Sequence, residues 1–63
     1  MTLSEFKKLN RSDQIKLTWE KGVLEDNAAN STQFYLLYKL DDFFVEMVFD
    51  KESEEVIRIK SYQ

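Results

Sequence analysis

The chain has no cysteine, no histidine and no proline, and a single glycine among its 63 residues. Without cysteine there is no disulfide, no thiolate zinc site, no redox switch and no cysteine nucleophile. Without histidine there is no imidazole ligand and no side chain that ordinarily titrates near neutral pH. One glycine is too few for a phosphate-cradling loop. No apolar run approaches the roughly 20 residues of a transmembrane helix. The first residues, MTLSEFKKLNRSDQ, lack the apolar segment of a secretory signal, so a cytoplasmic location is expected. Asn10-Arg11-Ser12 and Asn30-Ser31-Thr32 match the glycosylation pattern, which matters only in a secreted chain.

Nine Lys and Arg stand against twelve Asp and Glu, giving a net charge of −3 and a pI near 4.8. Nucleic-acid binders usually carry a basic face and a high pI, so sequence-independent DNA binding is disfavoured. Hydrophobic residues make up 43% of the chain and aromatics 14%, too many for a disordered segment. A domain this short buries only about 60% of the surface its unfolded chain exposes, and small domains commonly add a staple. With disulfides excluded, a partner chain is the staple this composition supplies most easily.

Thr2 followed three residues later by Glu5 has the form of a capping box, and Leu3, Phe6 and Leu9 make one apolar stripe over an expected helix 3–9. Ser12 offers a second N-cap for a helix over 13–21, with Ile15 and Trp19 one turn apart, Leu17 beside them, and Gly22 where a helix C′ residue belongs. Both helices are too short to stand alone in water, so packing must hold them. Trp19 on such a stripe reads as a core residue rather than as a ligand-stacking one.

From Val23 the period changes. A short strand is expected over 23–26, and Asp26 to Thr32 (DNAANST) has loop composition. Strands over 33–40 and 43–50 flank Asp41-Asp42, a two-residue connection that reads as a hairpin turn. That turn sets Leu40 against Phe43, Tyr38 against Val45, Leu36 against Met47 and Phe34 against Phe49, all apolar and all on one face. A last strand is expected over 55–62. An even-length loop before it would bury Arg58 and Lys60. An odd loop puts Ile57 beside Phe49, Ile59 beside Met47, and Glu46 opposite Lys60, a favourable cross-strand pair. The sequence therefore predicts one α+β domain over residues 1–63, with two short N-terminal helices packed on one face of a four-stranded antiparallel β-meander.

A sheet face that meets water alternates to polar residues. Here the second face carries Tyr35, Leu37, Phe44, Val48, Val56 and Tyr62, broken by Lys39, Glu46, Arg58 and Lys60. An exposed patch of this kind marks an interface, and Tyr35, Leu37, Phe44, Glu46, Val48, Arg58 and Tyr62 are the candidate interface residues. The competing reading is a solvated sheet on which aromatics and long basic stems cover one another. A homodimer or another protein is the expected partner, with two-fold symmetry if the chain pairs with itself. Tyr35, Phe44 and Tyr62 with Arg58 also raise single-stranded nucleic-acid binding as the alternative, against the acidic balance.

No catalytic constellation, metal or cofactor is expected. Asp41-Asp42 and the run Asp50 to Glu55 lack the spacing of a calcium loop and read as solvated turns. Glu46 with Lys60 reads as a surface ion pair rather than an acid–base site, and the serines have no histidine to activate them. Ser4 and Lys7 match a Ser-x-x-Lys spacing only within a helical turn. The expected function is non-enzymatic protein–protein contact, including self-association through the second sheet face.

The run Leu37-Tyr38-Lys39-Leu40-Asp41-Asp42-Phe43-Phe44-Val45-Glu46, followed by Val56-Ile57-Arg58-Ile59-Lys60-Ser61-Tyr62, resembles a group of small uncharacterised bacterial proteins. These share an L-Y-x-[LV]-D-x-F-[FY]-V-E hairpin and a closing strand of the form V-I-R-[IF]-[RK]-S-[FY]. A helix ending in Trp-x-x-Gly, here Trp19 to Gly22, is similar as well. The resemblance covers most of the chain and implies the same fold in a bacterial cytoplasmic setting. Its motifs are structural and imply no reaction or ligand.

Overall fold

Thr2 is extended, and its hydroxyl accepts a hydrogen bond from the Glu5 N–H at 3.1 Å while the Glu5 carboxylate accepts one from the Thr2 N–H at 2.8 Å. This reciprocal cap starts helix α1 (Leu3–Lys7) in the computed structural model, which describes residues 1–63. α1 ends two residues before the expected limit, but Leu9 still packs against the core. Helix α2 (Arg11–Lys21) begins earlier than its expected start at Asp13, because Asn10 rather than Ser12 is the N-cap and takes the Asp13 N–H at 2.9 Å. That start places Gln14 under the end of α1. Its amide donates to the carbonyls of Phe6 and Leu9 at 3.1 and 3.2 Å, so it partners carbonyls that helix ends leave open. The Arg11 guanidinium donates to the Val56 carbonyl and ties the start of α2 to the last strand.

Strands β1 (Val23–Ala29), β2 (Gln33–Leu40), β3 (Phe43–Asp50) and β4 (Val56–Tyr62) form one antiparallel meander in the order β1-β2-β3-β4. Asp41 adopts φ 54° in the two-residue turn between β2 and β3, the left-handed geometry such a turn requires. The register is the expected one, with Leu40, Tyr38, Leu36 and Phe34 opposite Phe43, Val45, Met47 and Phe49. The buried apolar cluster is Phe6, Leu40, Phe43, Val45 and Met47, with the Phe6 and Phe43 rings 5.3 Å apart. Leu3, Leu9, Ile15, Leu17, Tyr38, Phe49, Val56 and Ile59 close its margin. The α+β architecture expected from the sequence is therefore the observed one.

Three local expectations give way. β1 runs on to Ala29, so the expected loop from Asp26 shrinks to a turn at Asn30–Thr32. Every β1 side chain is exposed, so the strand is held by its backbone ladder to β2 rather than by packing. Asn30 closes the turn: its side-chain oxygen accepts from the N–H groups of Thr32 and Gln33 at 2.9 and 2.8 Å. Second, Trp19 is 54% exposed and lies stacked on Phe49, while its neighbour Thr18 is fully buried with its hydroxyl bonded to the Gln14 carbonyl at 2.7 Å. Third, the odd residue before β4 sits inside the strand instead of in the turn. β4 carries a bulge, so Val56 rather than Ile57 stands opposite Phe49, while Met47–Ile59 and Glu46–Lys60 pair as expected.

Gly22 sits where the end of α2 comes close to β2. Its backbone is extended, φ −73° and ψ 151°, so no left-handed conformation requires a glycine. A Cβ there would lie 2.5 Å from the Thr18 carbonyl oxygen and 3.2 Å from the Tyr38 side chain. The end of α2 approaches β2 too closely for a bulky side chain. Gly→Ala at an ordinary negative φ usually stabilises a protein by about 0.4–1 kcal/mol. Here the clash reverses the sign: Gly22→Ala lowers unfolding free energy by about 1 kcal/mol or more, as measured by urea denaturation.

The capping box also sets a pH dependence. Hydrogen bonds from Thr2 hold the Glu5 carboxyl below its ordinary 4.5. A carboxyl with a lowered folded pKa stabilises the fold above its unfolded value, and that contribution is lost as pH falls through the folded one. The stability difference between the wild type and Glu5→Gln is therefore present at pH 6 and shrinks below pH 4.5 in denaturant titrations; a difference constant to pH 3 refutes it. At the same end of the molecule the Met1 amine pairs with Asp41 at 2.6 Å, which raises its pKa above 8.0.

Candidate protein-interaction surface

Strand alternation puts the seven candidate residues on the sheet face opposite the helices, and the pairing arranges them in rows across the strands. Val23, Lys39, Phe44 and Tyr62 make one row; Asp26, Leu37, Glu46 and Lys60 the next; Ala28, Tyr35, Val48 and Arg58 the third. All seven candidates, Tyr35, Leu37, Phe44, Glu46, Val48, Arg58 and Tyr62, thus share this one face. Val56, the sixth apolar residue expected on this face, does not: it packs against the core. The bulge delivers Ile57 in its place. Ile57 is 45% exposed and lines a shallow depression with Gln33, Tyr35, Val48 and Arg58. Alternation alone misassigns both residues, because a bulge shifts parity by one.

The polar groups of this face are partly engaged with each other. Arg58 pairs with Glu46 at 3.2 Å. The expected Glu46–Lys60 ion pair does not form, although the two residues face each other across the ladder. The Lys60 ammonium instead lies 5.9 Å from the centre of the Tyr62 ring. Tyr62 and Phe44 stack with centroids 5.8 Å apart. The Tyr35 hydroxyl donates to the Gln33 side chain at 2.5 Å. No helix or loop covers the face, so the burial of Val48, only 3% exposed, comes from its row neighbours.

The sequence also missed a second apolar area, on the helix side. Helices of eleven and five residues, about 16 and 8 Å long, are too small to cover four strands of about 27 Å, and part of the helix side stays open. Phe34, expected in the core, is left 46% exposed beneath the Lys51 ammonium, which lies 4.8 Å from its ring centre. Trp19 and Phe49 form the rest of this corner, stacked 5.9 Å apart. Comparing helix and strand lengths was the available signal.

Two depressions lie on the second sheet face, of about 190 and 210 Å³, with Tyr35 in the wall of both. Both fall below the roughly 300 Å³ at which ligand pockets begin, and they corrugate the surface rather than enclose a ligand. No group of three or more Asp and Glu is placed to hold a metal ion. No helix is long and apolar enough to cross a membrane. No protein-family model matches the chain, and no curated protein or solved structure matches it either.

The Phe44–Tyr62 stack ties the open edge of the face to its centre. An aromatic pair of this kind contributes about 0.5–1.5 kcal/mol beyond its area. Tyr62→Ala accordingly exposes Phe44 and lowers stability by about 1 kcal/mol in thermal unfolding. Lys16→Ala, which removes only an exposed cation on α2, leaves stability within about 0.5 kcal/mol.

Proposed function

We propose that the chain is a non-enzymatic protein-interaction module that self-associates through the second sheet face. One observation carries the reading: a four-stranded sheet is covered by helices on one side only, while its other side presents Tyr35, Leu37, Phe44, Ile57 and Tyr62 around the buried Val48, with no covering layer. Aromatic residues and arginine are the side chains enriched at interface cores. Strands of eight residues in a four-strand sheet offer a face of about 27 by 19 Å, near 500 Å² per copy. Two such faces together reach the roughly 1,000 Å² that a specific interface requires.

The core supports the same conclusion. Seven of the 63 residues are buried, so covering a second face adds apolar burial that a single copy lacks. Stacking of Phe44 on Tyr62 occupies ring faces that a single-stranded nucleic acid would need, and weighs against that use.

Light scattering on a size-exclusion column, across a hundredfold dilution, tests the reading. The expected mass at high concentration is twice 7.6 kDa. Leu37→Asp or Phe44→Asp is expected to give a monomer whose Trp19 fluorescence is unchanged, because Trp19 stacks on Phe49 on the opposite side of the sheet. A 7.6 kDa species at every concentration overturns self-association.

A further inference from the structure

The second sheet face carries its charges in a polar arrangement. Within the middle row, Asp26 stands on β1 at one edge of the sheet and Lys60 on β4 at the other. Three strand spacings, about 14 Å, separate the two, so they cannot pair within one chain. The pair between them is already made, since Glu46 holds Arg58. Asp26 gives one carboxylate oxygen to the Asn27 N–H at 2.8 Å, and Lys60 has only the Tyr62 ring beside it. One acid and one base are thus left at opposite ends of the same row.

Aligned packing of two identical faces admits two kinds of two-fold axis lying between the sheets. An axis running across the strands sets each middle-row residue against itself. Asp26 then meets Asp26, Glu46 meets Glu46 and Lys60 meets Lys60, three like-charge contacts. An axis parallel to the strands reverses the strand order instead, so β1 of one copy lies over β4 of the other. Asp26 then faces Lys60 twice, Leu37 faces Glu46, whose charge Arg58 already holds, Lys39 faces the Phe44 ring, and Tyr35 faces Val48. Sheets pack about 10 Å apart, a gap that aspartate and lysine side chains projecting from both sides can bridge. Like charges set opposite each other at an interface are strongly unfavourable, and this decides between the two axes.

Building on the self-association reading above, we propose that the occupant of the second sheet face is a second copy related by a two-fold axis parallel to the strands, with Asp26 of each copy against Lys60 of the other. The edge charges then select the orientation, while Val23, Tyr35, Phe44 and Tyr62 supply the apolar contact. Association weakens with salt, because two ion pairs lie toward the rim.

Charge reversal tests the axis separately from association itself. Asp26→Lys alone and Lys60→Glu alone each create two like-charge contacts per dimer and raise the dimer Kd about tenfold by sedimentation equilibrium. The double variant Asp26→Lys/Lys60→Glu restores the pairs with their signs exchanged and returns the Kd to near the wild-type value, with circular dichroism confirming that each variant is folded. Single variants that dimerise as tightly as the wild type, while Leu37→Asp still gives a monomer, overturn the axis and leave the sheet-face dimer standing. A wild-type chain that never dimerises overturns both.

Discussion

The two-residue turn at Asp41-Asp42 is the constraint on which the rest of the molecule depends. With Asp41 in the left-handed region, β2 and β3 can pair in one register only. A slip of one residue would exchange every side chain between the two faces of the hairpin. The turn therefore decides that Phe43, Val45 and Met47 lie beneath Phe6, and that Phe44, Glu46 and Val48 lie on the other side. Both helices and both outer strands build on that choice. Phe6 reaches Phe43 only because the capping box at Thr2 starts α1 immediately before it.

A second constraint is length. An eleven-residue helix and a five-residue one cannot roof four strands, and the core they close is small. The uncovered end of the helix side is finished by large side chains that shield one another: Trp19 lies over Phe49, and Lys51 over Phe34. The opposite face has no roof at all. Its apolar side chains are only partly shielded by their neighbours, and a second layer adds burial without any change in the chain's own fold. Anything that binds the folded state in this way also shifts the folding equilibrium toward it.

The hairpin, the core apart from Trp19 and Phe34, and the second face apart from Val56 and Ile57 were legible in the sequence, because each rests on a parity that side-chain chemistry can test. Leu40, Tyr38, Leu36 and Phe34 either match Phe43, Val45, Met47 and Phe49 or bury charges. What escaped was held by forces that leave no hydrophobic pattern. β1 extends through Asp26-Asn27-Ala28-Ala29 on backbone hydrogen bonds alone, so its composition still reads as loop. Asn10 and Ser12 are equally good caps, and the choice between them came from Gln14 meeting the end of α1. Trp19 lies at the margin of the helix–sheet contact, over Phe49, while the smaller Thr18 is buried next to Gly22, where an added Cβ would clash. The salt bridge runs diagonally to Arg58 rather than straight across to Lys60, since flexible side chains can reach either neighbour.

Both outer strands are irregular, whereas the inner pair is not. β1 breaks register at Glu25 and β4 at Ile57, while β2 and β3 pair without interruption. Bulges twist an edge away from flat pairing, and charges next to them discourage the addition of another strand. Glu25 and Asp26 stand at one such break and Arg58 at the other, so neither edge is a regular template for growth of the sheet. The regular part of the sheet is its centre, where Leu37, Phe44 and Val48 lie. The β4 bulge serves both surfaces at once, turning Val56 into the core and moving Ile57 to the open face beside Tyr35 and Val48. One inserted residue blunts an edge and exchanges Val56 for Ile57 on the apolar face. The open face, rather than either edge, is therefore the part of the sheet that offers a continuous and partly apolar surface.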